Sequence, residues 1–324
     1  MSFGNRAGET PLKTGDFFRR LGKVSAMVLL ALLGAWCAGA VYFVWHFSAA
    51  LSVLFAISLL LMLLSARFIP RAGWMLFVTE LCVLISFLLL TPQRRFDGEK
   101  WNVECRKVPQ IIRMEDGKIR IADVRDFRYR TPEDFDVNYR EMMVDPAKLE
   151  SMDVIFSYWM SIDAVAHMLL GFNFSDGTQL AVSFEPQVPY GLKGGSFWWG
   201  VYRQYGQMML FATPEDVVDL RIKYRKEKVY RFRSAVTGEV LKNIFMETVK
   251  IAEKLNADPA FYHSVTTNCT TGLLPVFRHF PDLGNADIRC LLNGYYDRFL
   301  FERGFFARMN GENFTSFKAR HLCN

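Results

Sequence analysis

A cysteine placed between threonines and an apolar segment is the residue best suited to covalent chemistry. Cys269 follows Thr267 and Asn268, and an apolar run from Gly272 to Phe280 comes after it. Thr267 or Asn268 can cap a helix by accepting hydrogen bonds from its first free N–H groups. A thiol at that point lies near the positive end of the helix dipole, which lowers its pKa and favours the nucleophilic thiolate. The pattern predicts a reactive cysteine at the start of a helix.

A thiolate nucleophile needs a base, and His167 is the histidine best placed for this role. It lies in a predicted strand beside two alanines, so the imidazole is held rigidly and has room for a thiol next to it. A lone histidine on a strand is more commonly a structural residue, and that alternative stays open. His263 is the other candidate, because it lies only six residues before Cys269, whereas His279 points away along the same helix.

The group that orients the base is expected on the strand next to His167. A hairpin is predicted with strands at 164–174 and 179–185, because Asp176-Gly177 separates two apolar runs. We favour Glu185 as the orienting carboxylate. The alternative is a surface carboxylate at a strand end.

The alignment of the two strands is left open by the sequence. A two-residue loop pairs His167 with Pro186. A three-residue loop pairs it with Gln187 and brings Glu185 to the face of His167. The backbone N–H of Cys269 is expected among the donors to a developing oxyanion.

Strands and helices alternate irregularly through the rest of this region. Segments 217–223 and 228–232 are predicted strands, and apolar spacing predicts a helix over 237–255. These elements indicate an α+β domain that begins at residue 92. Its roughly 230 residues are enough for one substantial core.

A loop rich in glycine and aromatic residues spans 188–206. Trp198, Trp199, Tyr202 and Tyr205 are predicted to form a lip that faces membrane lipid, since Trp and Tyr favour the headgroup region. A loop whose rings cap the core is the equal alternative.

Several classes of function are disfavoured by composition and motifs. The chain has no CxxC, HxxxH or HExxH motif, and the glycine-rich segment 191–200 lacks the phosphate-loop form. We therefore expect neither a metal nor a cofactor. The net charge of +6 is modest and basic residues alternate with acidic ones, so we expect no nucleic-acid partner.

Three apolar runs occupy the first part of the chain, at 24–45, 49–66 and 72–90. Each approaches the ~20 residues that a helix needs to cross a bilayer. The predicted division is a segment at 1–23, three transmembrane helices at 24–91 and a domain at 92–324. Basic residues before the first run and in the second turn predict a cytoplasmic N-terminus. The C-terminal domain is then periplasmic, in a bacterial inner membrane.

Six motifs in a fixed order resemble one known family. They are VRDFRY (124–129), DAVAHMLLGFNFSDG (163–177), LAVSFEPQ (180–187), DVVDLR (216–221), VYRF (229–232) and FYHSVTTNCTTGLL (261–274). They resemble the DUF4105 family, which includes the periplasmic domain named after Lnb, the bacterial lipoprotein N-acyltransferase. The resemblance covers about 96–290. In Lnb-type proteins the membrane spans follow this domain, whereas here they precede it.

The resemblance implies a cysteine-dependent domain with a permuted papain-like (NlpC/P60-like) fold, in which the histidine precedes the cysteine. The family's cysteine and histidine correspond to Cys269 and His167, and its S-x-E glutamate to Glu185. The expected activity is acyl transfer through a Cys269 thioester, from membrane phospholipid to an amine such as a lipoprotein N-terminus. Two alternatives remain: a cysteine amidohydrolase or peptidase acting on peptidoglycan or peptides, and a non-catalytic membrane scaffold.

Overall fold

A computed structural model describes residues 14–45, 48–66, 68–90, 100–192, 194–280, 283 and 287–323. Contacts between residues divide the chain into two compact units, Met1–Arg95 and Phe96–Asn324. Each unit is described by itself. The first 13 residues of the predicted 1–23 segment lie outside the described residues, as does the predicted boundary between residues 91 and 92.

The N-terminal unit contains three helices, α1 (Thr14–Phe43), α2 (Ala49–Ser65) and α3 (Pro70–Leu90). Two stretches, Leu21–Phe43 and Arg71–Leu89, are long and apolar enough to cross a membrane. The helix α2 is apolar but has only 17 residues. Two of the three predicted spans thus meet the length requirement, and the middle one remains a prediction.

The C-terminal unit is built on a sheet, which confirms the α+β class. Its strands pair in the order β1-β2-β9-β8-β7-β6-β10, and β5 pairs with β2 as well. The strands are β1 (Gln110–Arg113), β2 (Ile119–Arg125), β5 (Tyr139–Val144), β6 (Leu149–Tyr158), β7 (His167–Phe174), β8 (Gln179–Gln187), β9 (Gly206–Ala212) and β10 (Lys228–Arg233), and a separate pair is formed by β3 (Arg128–Tyr129) and β4 (Phe135–Asp136).

The predicted hairpin is present as β7 and β8, with a three-residue loop at 175–177. Phe174 and Thr178 are hydrogen-bonded across this loop, and Gly177 adopts a φ of 86° that suits glycine. The ladder includes Leu169 opposite Ser183. Continuing that register sets His167 opposite Glu185. Both pairings expected from the sequence are therefore wrong, but Glu185 does lie on the face of His167.

Both faces of the sheet are covered. Helix α6 (Gly238–Ala257) buries an apolar stripe against one face, because its apolar residues recur at helical spacing. Phe245 in this stripe meets the rings of Phe172 and Phe174 edge to face. The remaining helices are α4 (Phe197–Val201), α5 (Pro214–Asp219), α7 (Leu274–Phe277), α8 (Tyr296–Glu302) and α9 (Phe314–Arg320).

The segment 217–223 was expected to be a strand, and this prediction is wrong. It forms the end of α5 and one turn of π-helix at Leu220–Tyr224. The cause lies just before the segment: the Thr213 side chain accepts from the Asp216 N–H, and Pro214 occupies the first turn. These two helix-start signals outweigh the apolar alternation that suggested a strand.

Candidate active site

The imidazole of His167 is held by two side chains of β8. Its Nε2 lies 2.7 Å from Ser183 Oγ and 2.9 Å from Glu185 Oε1. The Ser183 hydroxyl donates to the same Glu185 oxygen at 2.9 Å. Because the hydroxyl donates to the carboxylate, Nε2 acts as the donor, which leaves Nδ1 for a further partner.

Cys269 is that partner. Its side chain interacts with the His167 imidazole, and its Sγ lies 3.8 Å from the carbonyl oxygen of Ala166, the residue before β7. The Met168 backbone N–H also faces the sulfur. The side chain is buried, with 6% of its surface exposed. The structure therefore brings together Cys269, His167 and Glu185, which the sequence had proposed as one group.

Charge within this group favours the ionised forms of all three side chains. Burial alone lowers the pKa of His167, but the Glu185 charge, together with the charge and hydrogen bonding of Cys269, outweighs burial and raises this pKa to about 9. Burial alone raises the pKa of Glu185, and the charge and hydrogen bond of His167 reverse this and hold it below its usual range. A protonated His167 beside an ionised Glu185 is the state that this geometry stabilises.

The pKa of the Cys269 thiol is set by the same two opposing influences, burial and a neighbouring charge. Burial raises the pKa of Cys269, yet the His167 charge and hydrogen bond, together with the Met168 N–H, bring this pKa below its ordinary value. Between the pKa of the thiol and that of the imidazole, the pair exists as thiolate and imidazolium. This is the form in which a cysteine attacks acyl carbonyls.

A buried arginine, Arg221, lies beside the Glu185 carboxylate. Arg221 Nη2 lies 3.7 Å from Glu185 Oε1, and its Nε lies 3.9 Å from Glu227 Oε2. Its Nη1 donates to the Val217 carbonyl at 2.7 Å within the same helical turn. The guanidinium thus favours the charged form of Glu185, and the helical conformation of 217–223 is what aims it there.

Asn268 caps the turn that carries Cys269. Its Oδ1 accepts from the N–H groups of Thr270 and Thr271 at 2.9 and 3.0 Å, while its own N–H donates to Thr271 Oγ1 at 2.7 Å. Thr267, the other predicted cap, does not have this role, because its hydroxyl accepts from the His263 N–H and closes the preceding turn.

The predicted long helix after Cys269 is not formed. A 3₁₀ turn at Thr271–Leu273 leads into α7, which has only 4 residues. So short a helix has little dipole, and the lowered thiol pKa comes from His167 and the Met168 N–H instead. Gly272 lets this turn approach β8, since a Cβ there would lie 2.5 Å from the ring of Phe184.

Removal of the Asn268 cap is expected to loosen the cysteine turn. We expect Asn268→Ala to cost about 1 kcal/mol of stability, because two N–H groups lose their acceptor. For a domain of this size, that lowers the thermal midpoint by ~2–4 °C. Thermal unfolding of the full-length protein in detergent measures this change.

The matched control is Asn313→Ala, which removes the cap of α9, where Asn313 Oδ1 accepts from the Ser316 N–H at 3.0 Å. We expect a similar loss of stability there but an unchanged alkylation rate of Cys269. In Asn268→Ala, by contrast, the alkylation rate of Cys269 should change because the turn that carries the thiol is loosened. If that rate were unchanged there too, Asn268 would not be positioning the thiol.

The two rival candidates, His263 and His279, make other contacts. His263 Nδ1 accepts from the N–H groups of Val265 and Thr266, at 3.3 and 3.2 Å, so its ring stabilises the turn before Cys269. His279 Nε2 lies 3.8 Å from Glu247 Oε2.

The predicted aromatic lip is only partly present. Trp198 is 57% exposed, but Tyr202 and Tyr205 are only 3% and 1% exposed. Trp199 packs against the core cluster that contains Tyr205. A lipid-facing position is therefore wrong for Tyr202 and Tyr205, whose rings are buried, as the alternative interpretation expected.

Two residues near the sulfur were missed by the sequence analysis. The Asn293 amide donates to Cys269 Sγ at 3.2 Å, and the Tyr262 hydroxyl faces the Cys269 backbone N–H. Burial keeps the pKa of Tyr262 well above its usual value, so the phenol stays neutral. The Cys269 N–H stays the predicted oxyanion donor from the sequence, and the Tyr262 hydroxyl lies beside it. Tyr262 lies in the motif around Cys269, whereas Asn293-Gly294 had the pattern of an ordinary turn.

Comparison with known proteins agrees with the resemblance. Residues 135–294 match the family model described as the Lnb N-terminal periplasmic domain, a range that includes His167, Glu185 and Cys269. Neither the curated proteins nor the solved structures give a match. The match and the two long apolar helices indicate a membrane-associated protein with a periplasmic domain. The segment 135–294, slightly less than half of the chain, is therefore similar to the Lnb N-terminal periplasmic domain family.

Proposed function

We propose that this protein is a membrane-anchored, periplasmic acyltransferase that works through a thioester on Cys269. The observation that carries the proposal is the continuous chain of contacts from Cys269 through His167 to Glu185, which lowers the pKa of the thiol. A scaffold without catalysis has no need for a buried thiolate. The order of histidine before cysteine suits a circularly permuted papain-like fold, which we propose for the domain.

The reaction has two halves. The Cys269 thiolate attacks the carbonyl carbon of an acyl ester, and a C–S bond forms as the C–O bond to the alcohol breaks. Protonated His167 gives its proton to the departing oxygen. In the second half an amine attacks the thioester, neutral His167 takes the amine proton, and the C–S bond breaks to restore the thiolate. Glu185 holds the imidazole and stabilises its positive charge in both halves.

Exposed apolar side chains next to the site favour an acyl chain as the group transferred. We call them the apolar rim: Trp159, Met160, Ile162, Phe197, Trp198, Leu291, Leu292 and Tyr295. The residues at 159–162 directly precede the His167 segment, and the 291–295 segment is joined to it by the hydrogen bond from Gly294 N to Ala164 O. Helix α4 contacts the cysteine loop where the Ser264 hydroxyl donates to the Phe197 carbonyl. Exposed apolar side chains on segments that adjoin a reactive group suit binding of a lipid.

Membrane attachment supports a lipid donor. Helices in the same chain tether the domain to a bilayer, so phospholipid is present at high effective concentration. We propose three spans with a cytoplasmic N-terminus in a bacterial inner membrane, and an amine acceptor such as the N-terminus of a lipoprotein. The basic residues of the N-terminal segment support this orientation.

The proposal is tested with the full-length protein in phospholipid vesicles. The vesicles carry phosphatidylethanolamine with deuterated acyl chains, and the acceptor is a peptide with an N-terminal cysteine. We expect an acyl adduct on Cys269 that hydroxylamine removes, followed by appearance of the chain on the peptide. Mass spectrometry detects both. Cys323→Ala, which removes an exposed cysteine, is the matched control and should form the same adduct.

Two outcomes separate the proposal from its alternatives. An adduct whose acyl chain passes only to water would make the protein a lipid hydrolase. Absence of any adduct, together with cleavage of amide bonds in peptidoglycan fragments, would replace the acyltransferase by an amidohydrolase.

A further inference from the structure

The side chain of Asn293 is held between the Ala166 backbone and the sulfur of Cys269. Its Oδ1 accepts from the Ala166 backbone N–H at 3.0 Å, and its Nδ2 donates to Cys269 Sγ at 3.2 Å. The Ala166 N–H determines which end of the amide is the oxygen, because a donor there requires an acceptor. The NH₂ group therefore faces the sulfur.

The backbone around Asn293 is clamped to the segment that leads into β7. Gly294 donates to the Ala164 carbonyl at 3.0 Å, and a Cβ on Gly294 would lie only 2.0 Å from the Asp163 carbonyl oxygen. Only glycine permits this approach. The Asn293 amide is thus held on the same segment that ends at His167, so its position relative to the thiol is fixed by the fold.

A buried ion pair, Lys318 with Asp297, supports the Gly294 carbonyl next to Asn293 through the hydroxyl of Tyr158. The Tyr158 hydroxyl lies 2.6 Å from the Gly294 carbonyl oxygen, and Lys318 Nζ donates to Tyr158 Oη at 2.7 Å. Lys318 also pairs with the buried Asp297 at 2.6 Å. Side chains from β6, α8 and α9 therefore converge to fix one carbonyl next to Asn293. This much support is typical of a pre-organised catalytic group rather than of a surface turn.

The donor is placed where negative charge develops. When a thiolate attacks a carbonyl, the oxyanion lies on the carbon bonded to sulfur, and therefore about 3 Å from the sulfur. A donor that is 3.2 Å from Sγ before the reaction reaches such an oxygen with little movement. The Cys269 N–H, the donor expected from the sequence, faces the Tyr262 hydroxyl instead.

We propose that Asn293 donates the hydrogen bond that stabilises the oxyanion during acylation of Cys269. This inference rests on the proposed thioester chemistry and adds a third catalytic residue to it. Its Nδ2 shifts from the thiolate to the carbonyl oxygen as charge moves from sulfur to oxygen, while its Oδ1 stays on the Ala166 N–H.

Two reactions of the same thiol separate this role from simple positioning. Alkylation by iodoacetamide needs the thiolate but forms no oxyanion. Acylation by p-nitrophenyl butyrate needs the thiolate and also passes through an oxyanion. In full-length Asn293→Ala we expect acylation of Cys269 to fall 10²–10³-fold, the loss typical of an oxyanion donor. We expect alkylation at its plateau pH to change less than about threefold, since the thiolate itself remains.

Asn293→Asp keeps the shape and the acceptor for Ala166 while removing the donor. This variant replaces Asn293→Ala in the experiment if Asn293→Ala does not fold. We expect it to show the same selective loss of acylation, measured at the pH where alkylation has reached its plateau. Equal loss of both reactions would reduce Asn293 to a positioning residue for the thiolate. No loss of either would remove it from the mechanism. A wild-type protein that is alkylated but never acylated would instead overturn the thioester proposal.

Discussion

Cys269→Ser is expected to abolish acyl transfer, with a loss of about 10⁴-fold or more, while the domain stays folded. The hydroxyl is close in size to the thiol, so the buried site is not disrupted. An alcohol, however, is not ionised by a neighbouring imidazolium, whereas the Cys269 thiol pKa is lowered by His167. Losses of this size are typical when a nucleophile is removed and the rest of the site remains. Transfer of labelled acyl chains from phospholipid vesicles to a peptide measures the effect.

Cys323→Ser is the matched control, because Cys323 is an exposed free cysteine whose thiol donates to the His321 carbonyl oxygen. It should retain wild-type transfer. Near wild-type transfer in Cys269→Ser would refute the assignment of the nucleophile, whatever happens in the control.

His167→Ala should lower transfer about 10²–10⁴-fold, the range associated with a positioned acid and base. It should also move the pH profile of alkylation. Without the imidazolium, burial is the main remaining influence on Cys269 and it raises the thiol pKa. A free thiol has a pKa of ~8.5 and is only about 1% thiolate at pH 6.5, so we expect the alkylation rate at that pH to fall in the variant.

In the wild-type protein the imidazolium lowers the thiol pKa, so the pH profile of alkylation is displaced in the direction opposite to that expected for His167→Ala. Alkylation should rise at a pH below that of an ordinary thiol and reach a plateau. Transfer should then decline as His167 loses its proton near its raised pKa of about 9. His279→Ala, which alters a histidine beside Glu247 rather than the thiol, is the control and should leave both profiles in place. An unchanged alkylation profile in His167→Ala would mean that the imidazole does not ionise Cys269.

Local patterns made much of the site predictable. The Asp176-Gly177 turn between apolar runs indicated the hairpin that carries His167 and Glu185, although the pairing of its strands was not predictable from the loop. Asn268 was a recognisable cap because its side chain acts on N–H groups two and three residues away. Interactions over such short separations are encoded within a few neighbouring residues.

Contacts between distant segments were not predictable in the same way. Asn293 acts on Cys269 from 24 residues away, and its pattern is that of an ordinary turn. Arg221 reaches Glu185 only because its segment is helical, and apolar alternation there suggested a strand. Burial of Tyr202 and Tyr205 was equally hidden, since exposed and core-capping rings have the same local sequence. Tertiary packing decided each of these features.

The central claim is that Cys269 exists as a thiolate paired with imidazolium near neutral pH. The ultraviolet absorbance of thiolate, recorded as the difference between the wild-type protein and Cys269→Ala over a pH titration, tests it most directly because the other cysteines cancel. We predict a difference signal already present at pH 7, with a midpoint well below the ~8.5 of a free thiol. A signal that appears only at or above that pH would contradict the account.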